Sequence, residues 1–120
     1  MLAIIDGFGD DVVAVRGTGL VSADDYDTVL TPAIAAASAG GRKVRLLLDY
    51  GEGFEGYETS AILADSTFGA GHLGSFERVA IVTDADWLRR AIHVFGGLIP
   101  GDVRLFSTAD GADARAWIES

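Results

Sequence analysis

The 120-residue chain contains no cysteine, and this absence removes two classes of site at once. Without thiols the protein can form neither a disulfide nor a thiolate-ligated metal centre. For the same reason, cysteine usage does not indicate whether the protein works in an oxidising or a reducing compartment. No apolar run approaches the roughly 20 residues that are needed to cross a bilayer. The first residues reach Asp6 without a basic side chain, which is typical of a strand and not of a signal peptide. We therefore expect a cytoplasmic protein without an integral membrane segment.

Positive charge is also scarce. Lys and Arg together number 9 against 18 Asp and Glu, so the formal net charge is −9. Such a chain repels nucleic acid and anionic lipid surfaces, which argues against a nucleic-acid partner. Hydrophobic residues make up 49% of the chain, which is typical of a folded protein and argues against disorder. The length fits a single domain that covers residues 1–120.

Complete catalytic and cofactor motifs are missing as well. None of the serines lies in a Gly-x-Ser-x-Gly elbow, so the sequence does not predict a hydrolase. The acids Asp49, Glu52 and Glu55 lack the alternation and the closing glutamate of a calcium loop. The glycines of residues 51–56 match the letters of the dinucleotide fingerprint, but they follow the third predicted strand and the glutamates beside them would oppose a phosphate. We predict no enzymatic activity, no metal and no cofactor.

Strand and helix patterns alternate along the chain in the order ββαβαβαβα. Strands are predicted over residues 2–5, 11–17, 43–49, 78–83 and 102–106. Helices are predicted over residues 22–37, 57–70 and 84–98, and from 107 or 108 onwards. This order indicates an α/β fold with a mostly parallel sheet, helices on both faces and an antiparallel N-terminal edge strand.

Three local signals refine this picture. Ser22 and Asp25 resemble a capping box, which predicts the start of the first helix. Pro32 lies inside the apolar pattern of that helix and predicts a kink or a late start. The run Leu46-Leu47-Leu48 predicts a central parallel strand that is buried on both faces.

The end of that central strand is the first candidate site. An apolar strand stops at Asp49, a Gly-rich acidic loop follows, and a helix is predicted next. In open α/β sheets, ligands gather where strands end and helices begin. The alternative interpretation is an acidic connector in which Asp49 only caps the strand end. His72 and His93 have no nucleophile or acid beside them in the sequence, and we expect each to be a partly buried histidine.

The third predicted helix is the second candidate site, because it has more apolar residues than one core face requires. They are Trp87, Leu88, Ala91, Val94, Phe95 and Leu98. Three interpretations stay open: these residues complete the core, they form a dimer surface, or they line a pocket for an apolar ligand. In the third case, Arg89 or Arg90 supplies a contact for an anionic head group.

Several segments spread along the chain resemble the bacterial SpoIIAA-like family, which groups with STAS domains and CRAL-TRIO-related lipid carriers. The segments are residues 11–17, 22–26, 44–49, 54–57, 73–84, Trp87 and 100–106. The resemblance implies a STAS-type β-α superhelix that starts with a hairpin. In the anti-sigma-factor antagonists of this group, the strand-end acid leads to a phosphorylatable serine. Asp49 matches that acid, and the resemblance makes Thr59 and Ser60 the candidate phosphorylation sites if the next helix starts late.

Two functional hypotheses result. The first is a non-enzymatic STAS-like binding or regulatory module that contacts a protein partner or a second copy of itself, as in a homodimer. The second is a small carrier or sensor of an apolar or amphipathic, lipid-like ligand that lies between the second and third helices. The candidate contact residues are Asp49, Tyr50, Phe54, Tyr57, Phe68, His72, Trp87, Arg90, Phe95 and Leu98.

Overall fold

Seven strands build the fold in a computed structural model that describes residues 1–51, 53–58, 76–95 (for Phe95 the backbone only) and 102–120. They are β1 (Leu2–Ile4), β2 (Val12–Gly17), β3 (Gly19–Val21), β4 (Val44–Tyr50), β5 (Phe54–Tyr57), β6 (Phe76–Thr83) and β7 (Asp102–Phe106). The main sheet has the order β1-β2-β4-β6-β7, and β3 pairs with β5 separately. Only the β1–β2 pair is antiparallel among these pairings, so the predicted α/β class and the antiparallel edge are confirmed.

Apart from short 3₁₀ turns, the described residues form three helical regions, of which the first two connect strands and the third follows β7. The first, α1, has three consecutive parts: Ala23–Asp25, a π-helical segment Tyr26–Leu30, and Thr31–Ala37. The second is α2 (Asp86–Phe95), and the third is α3 (Gly111–Glu119), which follows a short 3₁₀ turn at Thr108–Asp110. In the described part of the chain, no helix is long and apolar enough to span a membrane.

The sheet divides the core into two clusters, because successive residues of a strand point to opposite faces. The row that faces α1 and Leu88 of α2 is Val13, Leu46 and Val79. The row that faces Ala114 and Ile118 of α3 is Ala14, Leu47 and Ala80. Helices therefore cover both faces of the sheet, and β4 is its buried central strand, as the sequence predicts.

The first helix begins where the sequence predicts and is irregular where proline disturbs it. Ser22 and Asp25 form the capping box, with the Asp25 N–H donating to Ser22 Oγ at 3.3 Å. Proline cannot donate to the preceding turn. Immediately before Pro32 the helix takes the wider π form, and the Thr31 N–H donates to the Tyr26 carbonyl. The structure thus replaces the predicted kink or late start with a π segment inside a helix that starts early.

The structure contains two short strands, β3 and β5, that the order predicted from the sequence lacks. β4 runs on to Tyr50 and does not stop at Asp49. After a turn at Gly53, residues 54–57 form β5, so the prediction of a helix that begins at Tyr57 is wrong at its start. The physical reason is pairing with β3, in which Val21 lies opposite Tyr57. The rest of the helix predicted over 57–70 lies outside the described residues.

The C-terminal helix is fixed by two arginines that neighbour each other in the sheet. Arg45 of β4 and Arg78 of β6 are register partners. Nη1 of Arg45 donates to the Ile118 carbonyl at 3.1 Å, and Nη1 of Arg78 donates to the Trp117 carbonyl at 2.8 Å. The Arg78 guanidinium also lies 5.3 Å from the centroid of the Trp117 ring. Cations are favourable here because the last carbonyls of a helix carry partial negative charge.

Candidate functional site

Four aromatic side chains meet where β4 ends, β5 lies and α2 begins. Tyr50 ends β4, Phe54 and Tyr57 bound β5, and Trp87 is the second residue of α2. The Phe54 ring is stacked on Tyr50, with centroids 4.4 Å apart, and meets the Tyr57 ring edge-on at 5.4 Å. The Trp87 ring lies 6.1 Å from both Phe54 and Tyr57. These four residues, all nominated from the sequence, are called the aromatic cluster below.

Two glycines support this arrangement, Gly17 by the space it leaves and Gly56 by its backbone conformation. A Cβ atom at Gly17 of β2 would lie 2.5 Å from two carbons of the Tyr50 ring, closer than real Cβ contacts allow. Gly56 of β5 has φ of +134°, a conformation that side-chain-bearing residues rarely adopt. The aromatic cluster therefore depends on backbone positions that a pattern of apolar residues does not reveal.

One end of the aromatic cluster is buried and the other reaches solvent. Tyr50 is 2% exposed, whereas Trp87 is 50%, Leu20 of β3 is 53% and Val94 of α2 is 71% exposed. A Cβ atom at Gly56 would lie 3.9 Å from both Leu20 Cδ2 and Trp87 Cζ2, so the two side chains are neighbours. Trp87 and Val94 are seven residues apart and share one helix face. We call Leu20, Trp87 and Val94 the Trp87 surface.

Asp49 does not belong to this surface. It precedes Tyr50 in β4 and therefore points to the opposite face of the sheet. Its Oδ2 lies 3.5 Å from Nη2 of Arg16, the register partner on β2, and its Oδ1 accepts a 3.2 Å hydrogen bond from the Gly51 N–H. The carboxylate thus closes the turn after β4 and neutralises a cation. These contacts agree with the alternative interpretation from the sequence, in which Asp49 caps the end of the strand.

A second carboxylate ties the ends of two further strands together. Asp84, directly after β6, accepts a 2.9 Å hydrogen bond from the Thr108 N–H beyond β7. The backbone and side-chain hydrogen bonds from Thr108 lower the pKa of Asp84 below its ordinary value of 3.8. Desolvation raises the pKa by less than these hydrogen bonds lower it, and the charge of Arg89 lowers it further. Both acids at this edge, Asp49 and Asp84, are therefore engaged in holding loops.

The start of α2 is built by the residues before it. Thr83 is fully buried, and its Oγ1 accepts a 3.1 Å hydrogen bond from the Ala85 N–H. Arg89 donates from Nη1 to the Thr83 carbonyl at 2.9 Å. Arg89 is thus occupied by the backbone, while Arg90 is exposed beside it. Of the two arginines, only Arg90 is placed to meet a ligand from solvent.

The remaining nominated residues divide into three groups. His93 is exposed, which corrects the expectation of a partly buried histidine; it lies on the outer side of α2. Phe95 ends α2, and its side chain lies outside the described part of the chain. The nominated residues that fall wholly outside it are Thr59, Ser60, Phe68, His72 and Leu98. Over the residues that are described, no group of three or more His, Cys, Asp or Glu side chains could hold a metal ion.

The apolar residues of α2 lie on two faces of the helix, and the predicted apolar stripe does not distinguish the buried face from the exposed one. Leu88 is 6% exposed and Ile92 packs against the same core cluster, whereas Trp87 and Val94 point outwards. A signal was available, because Leu88 and Ile92 are four residues apart and define the inner face on their own. Leu20 was missed because β3 has only three residues and begins with glycine.

Comparison with known proteins agrees with this architecture. A sequence model of the SpoIIAA-like family matches residues 12–119. An uncharacterised DUF3478-family protein with a SpoIIAA-like fold, from Shewanella loihica PV-4, is similar in structure, with a TM-score of 0.79 and 28% sequence identity. The alignment covers 98% of this chain and 93% of that one. No curated protein matches the sequence. Because the family match spans all but residues 1–11 and the last residue, the chain belongs to the SpoIIAA-like family.

Proposed function

We propose that this SpoIIAA-like domain is a non-enzymatic binding module that recognises a protein partner, or a second copy of itself, through the Trp87 surface. The observation that carries the proposal is the half-exposed Trp87 ring, held by Phe54 and Tyr57 at 6.1 Å. Tryptophan is over-represented among the residues that dominate binding energy at protein interfaces. A ring that is already ordered by its neighbours loses little side-chain entropy when a partner covers it.

The neighbouring side chains extend this contact. Leu20 and Trp87 both approach the Cβ position of Gly56, and Val94 lies about two turns further along the helix face of Trp87, so exposed apolar side chains recur along this surface. Arg90, exposed on the same helix, supplies a charge at its rim. An apolar centre with a polar rim is the usual anatomy of a protein interface.

The test compares Trp87→Ser and Val94→Ser with the wild-type protein and with Ile4→Ser. Ile4 is a matched control, because it is 48% exposed and belongs to β1, outside the Trp87 surface. Sedimentation velocity over a micromolar range detects self-association. Immobilised variants incubated with bacterial lysate, with each captured protein then purified and titrated, detect a partner. Near-ultraviolet circular dichroism verifies the fold of each variant.

We expect either a concentration-dependent dimer or a purified partner that binds with micromolar affinity or better. Trp87→Ser should weaken that binding by about tenfold or more, Val94→Ser by less, and Ile4→Ser should leave it unchanged. A wild-type monomer that binds no purified partner, or binding that all three variants retain equally, would contradict the proposal.

A second candidate is a carrier or sensor of an apolar or amphipathic ligand at the same place. It is favoured by the exposed Arg90 three residues after Trp87, since an anionic head group could meet the guanidinium while its chain lies on the ring. Titration with dodecanoate, followed by tryptophan fluorescence, tests it. The response should vanish in Trp87→Phe and weaken in Arg90→Met, and an unchanged wild-type spectrum at saturating ligand would reject it.

A further inference from the structure

A separate cleft lies at the other end of the sheet from the aromatic cluster. It has a volume of about 360 Å³ and lies between the β1–β2 connection and the second half of α1. Val12, at the start of β2, lines it, whereas the aromatic cluster lies beyond the end of the parallel strand β4. The two places are therefore distinct, and a ligand in one need not touch the other.

The cleft is lined by apolar side chains together with polar groups, and its walls are held in place by the backbone. Ile5 and Phe8 line it from the hairpin connection, and Ala33, Ala36 and Ala37 line it from α1. The connection is fixed at both ends by hydrogen bonds: the Ile5 N–H donates to the Ala14 carbonyl at 2.8 Å, and the Val12 N–H donates to the Gly9 carbonyl at 3.1 Å. Binding sites of small molecules are usually preformed in this way.

The small side chains of α1 create the space. Ala33, Ala36 and Ala37 are spaced so that they lie on one side of the helix, and each projects only a methyl group into the cleft. At about 30 Å³ per water molecule, a volume of about 360 Å³ corresponds to roughly 12 waters. This is enough for a ligand with about ten non-hydrogen atoms.

The charged groups at the rim of the cleft determine which charge a ligand should carry. Arg42 is present, and its Nε donates to the Ala39 carbonyl at 3.1 Å beyond α1, so its guanidinium is held by the backbone while two carboxylates outnumber it at the rim. The other two charged groups are the exposed carboxylates of Asp6 and Asp10, for which no ion pair is found among the described residues. Asp11 differs, since it lies 3.9 Å from Nε of Arg45. The net charge of −9 adds to the attraction for a cation.

We infer that this cleft binds a small amphipathic organic cation, a primary alkylamine whose chain lies between the hairpin connection and α1 while its ammonium group meets Asp6 and Asp10. The apolar side chains of the lining accommodate the chain, and the carboxylates distinguish an ammonium from a carboxylate head group. The inference does not depend on the Trp87 surface.

Matched eight-carbon probes test the inference on the full chain. Octylammonium, octanol and octanoate share one chain and differ in the head group, and their binding is followed by ¹H–¹⁵N chemical-shift mapping. We expect octylammonium to shift the amides of residues 5–12 and 33–42 and to bind at least tenfold more tightly than octanoate. The difference should shrink at 0.5 M salt because the carboxylates are exposed.

Variants separate the contribution of the head group from that of the chain. The double variant Asp6→Asn/Asp10→Asn should weaken octylammonium by about tenfold and leave octanol unchanged, while the control Asp113→Asn on α3 should change neither. Ala36→Leu, which fills the cleft from an exposed position, should weaken both probes. Equal affinities for octylammonium and octanoate, shifts confined to the surroundings of Trp87, or no shifts at all would each overturn the inference.

Discussion

The ring of Tyr50 occupies the space in which a side chain of Gly17 would lie. A Cβ atom at Gly17 would come within 2.5 Å of both Cδ1 and Cε1 of that ring. The ring cannot easily move aside, because Tyr50 is 2% exposed and is stacked on Phe54 with centroids 4.4 Å apart. The added Cβ would also lie 3.6 Å from Cδ1 of Phe54. The missing side chain in β2 therefore allows β4 to end in an aromatic residue and the aromatic cluster to form.

Gly17→Ala should destabilise the protein by overpacking this contact. We expect the free energy of unfolding to fall by about 1–3 kcal/mol, measured by urea denaturation. Gly111→Ala is the matched control, since Gly111 has helical φ of −55° and no atom lies within 4 Å of its added Cβ. That change should raise the stability by about 0.4–1 kcal/mol. Effects of the same sign at both positions would contradict this account of Gly17.

Asp25 should make the stability depend on pH in acid. Burial on its own raises the pKa of Asp25, but hydrogen bonds from the Ser22 N–H at 2.8 Å, from its hydroxyl and from the Leu2 N–H outweigh it and lower the pKa below 3.8. With a lowered pKa in the folded state, the unfolded chain binds more protons in acid. The stabilisation is then complete above the unfolded pKa and is lost as the pH falls through the folded pKa.

We therefore expect the difference in unfolding free energy between the wild type and Asp25→Asn to be constant from about pH 7 to about pH 5 and to shrink below about pH 4. Denaturation across this range measures it, and a carboxyl-carbon NMR titration gives the pKa of Asp25 directly. Ser22→Ala removes the hydroxyl bond and should raise that pKa while leaving the carboxylate in place. A difference that grows in acid would show that the sign is wrong.

Arg78→Met should loosen the end of α3. The substitution retains an apolar stem but removes the 2.8 Å hydrogen bond to the Trp117 carbonyl and the cation 5.3 Å from the indole centroid. We expect a loss of about 1–2 kcal/mol, measured by urea denaturation, with faster hydrogen exchange of the last turn of α3. Arg115→Met, on the exposed side of the same helix, is the control and should have little effect.

Asp49→Asn should change little, although Asp49 is the most conspicuous acid in the sequence. Its ion pair with Arg16 spans 3.5 Å, and the Arg16 side chain is 53% exposed, so the pair contributes less than about 1 kcal/mol. Asparagine can still accept the hydrogen bond from Gly51. Binding through the Trp87 surface should be unaffected. If Asp49→Asn abolished binding while Trp87→Ser did not, the contact surface would lie on the other face of the sheet.

The general architecture could be predicted because the long strands carry their signal in the sequence. The run Leu46-Leu47-Leu48 is apolar at every position, and only a strand covered on both faces requires that pattern. β3 and β5 could not be predicted in this way. They have three and four residues, each contains a glycine, and what stabilises them is their pairing with each other across more than 30 residues of sequence.

The candidate site was predictable in position but not in orientation. The end of the central strand nominates Tyr50, Phe54 and Tyr57, the third predicted helix nominates Trp87, and the structure brings the four rings together. Asp49 was nominated with them, yet the alternation of side chains along a strand already places neighbours on opposite faces. The cleft near Phe8 gave no signal, because its space comes from alanines that read as ordinary helix formers.

The two arginines that hold α3 also bear on the order of folding. Arg45 lies 73 residues from the carbonyl of Ile118, and Arg78 lies 39 residues from that of Trp117. Both side chains reach α3 only when β4 and β6 have paired in the correct register, and a slip by one residue would turn one of them to the far face. Such distant contacts form late because loop-closure entropy opposes them. We therefore expect the end of α3 to become fixed only after β4 and β6 have paired, so that it reports an error in their register.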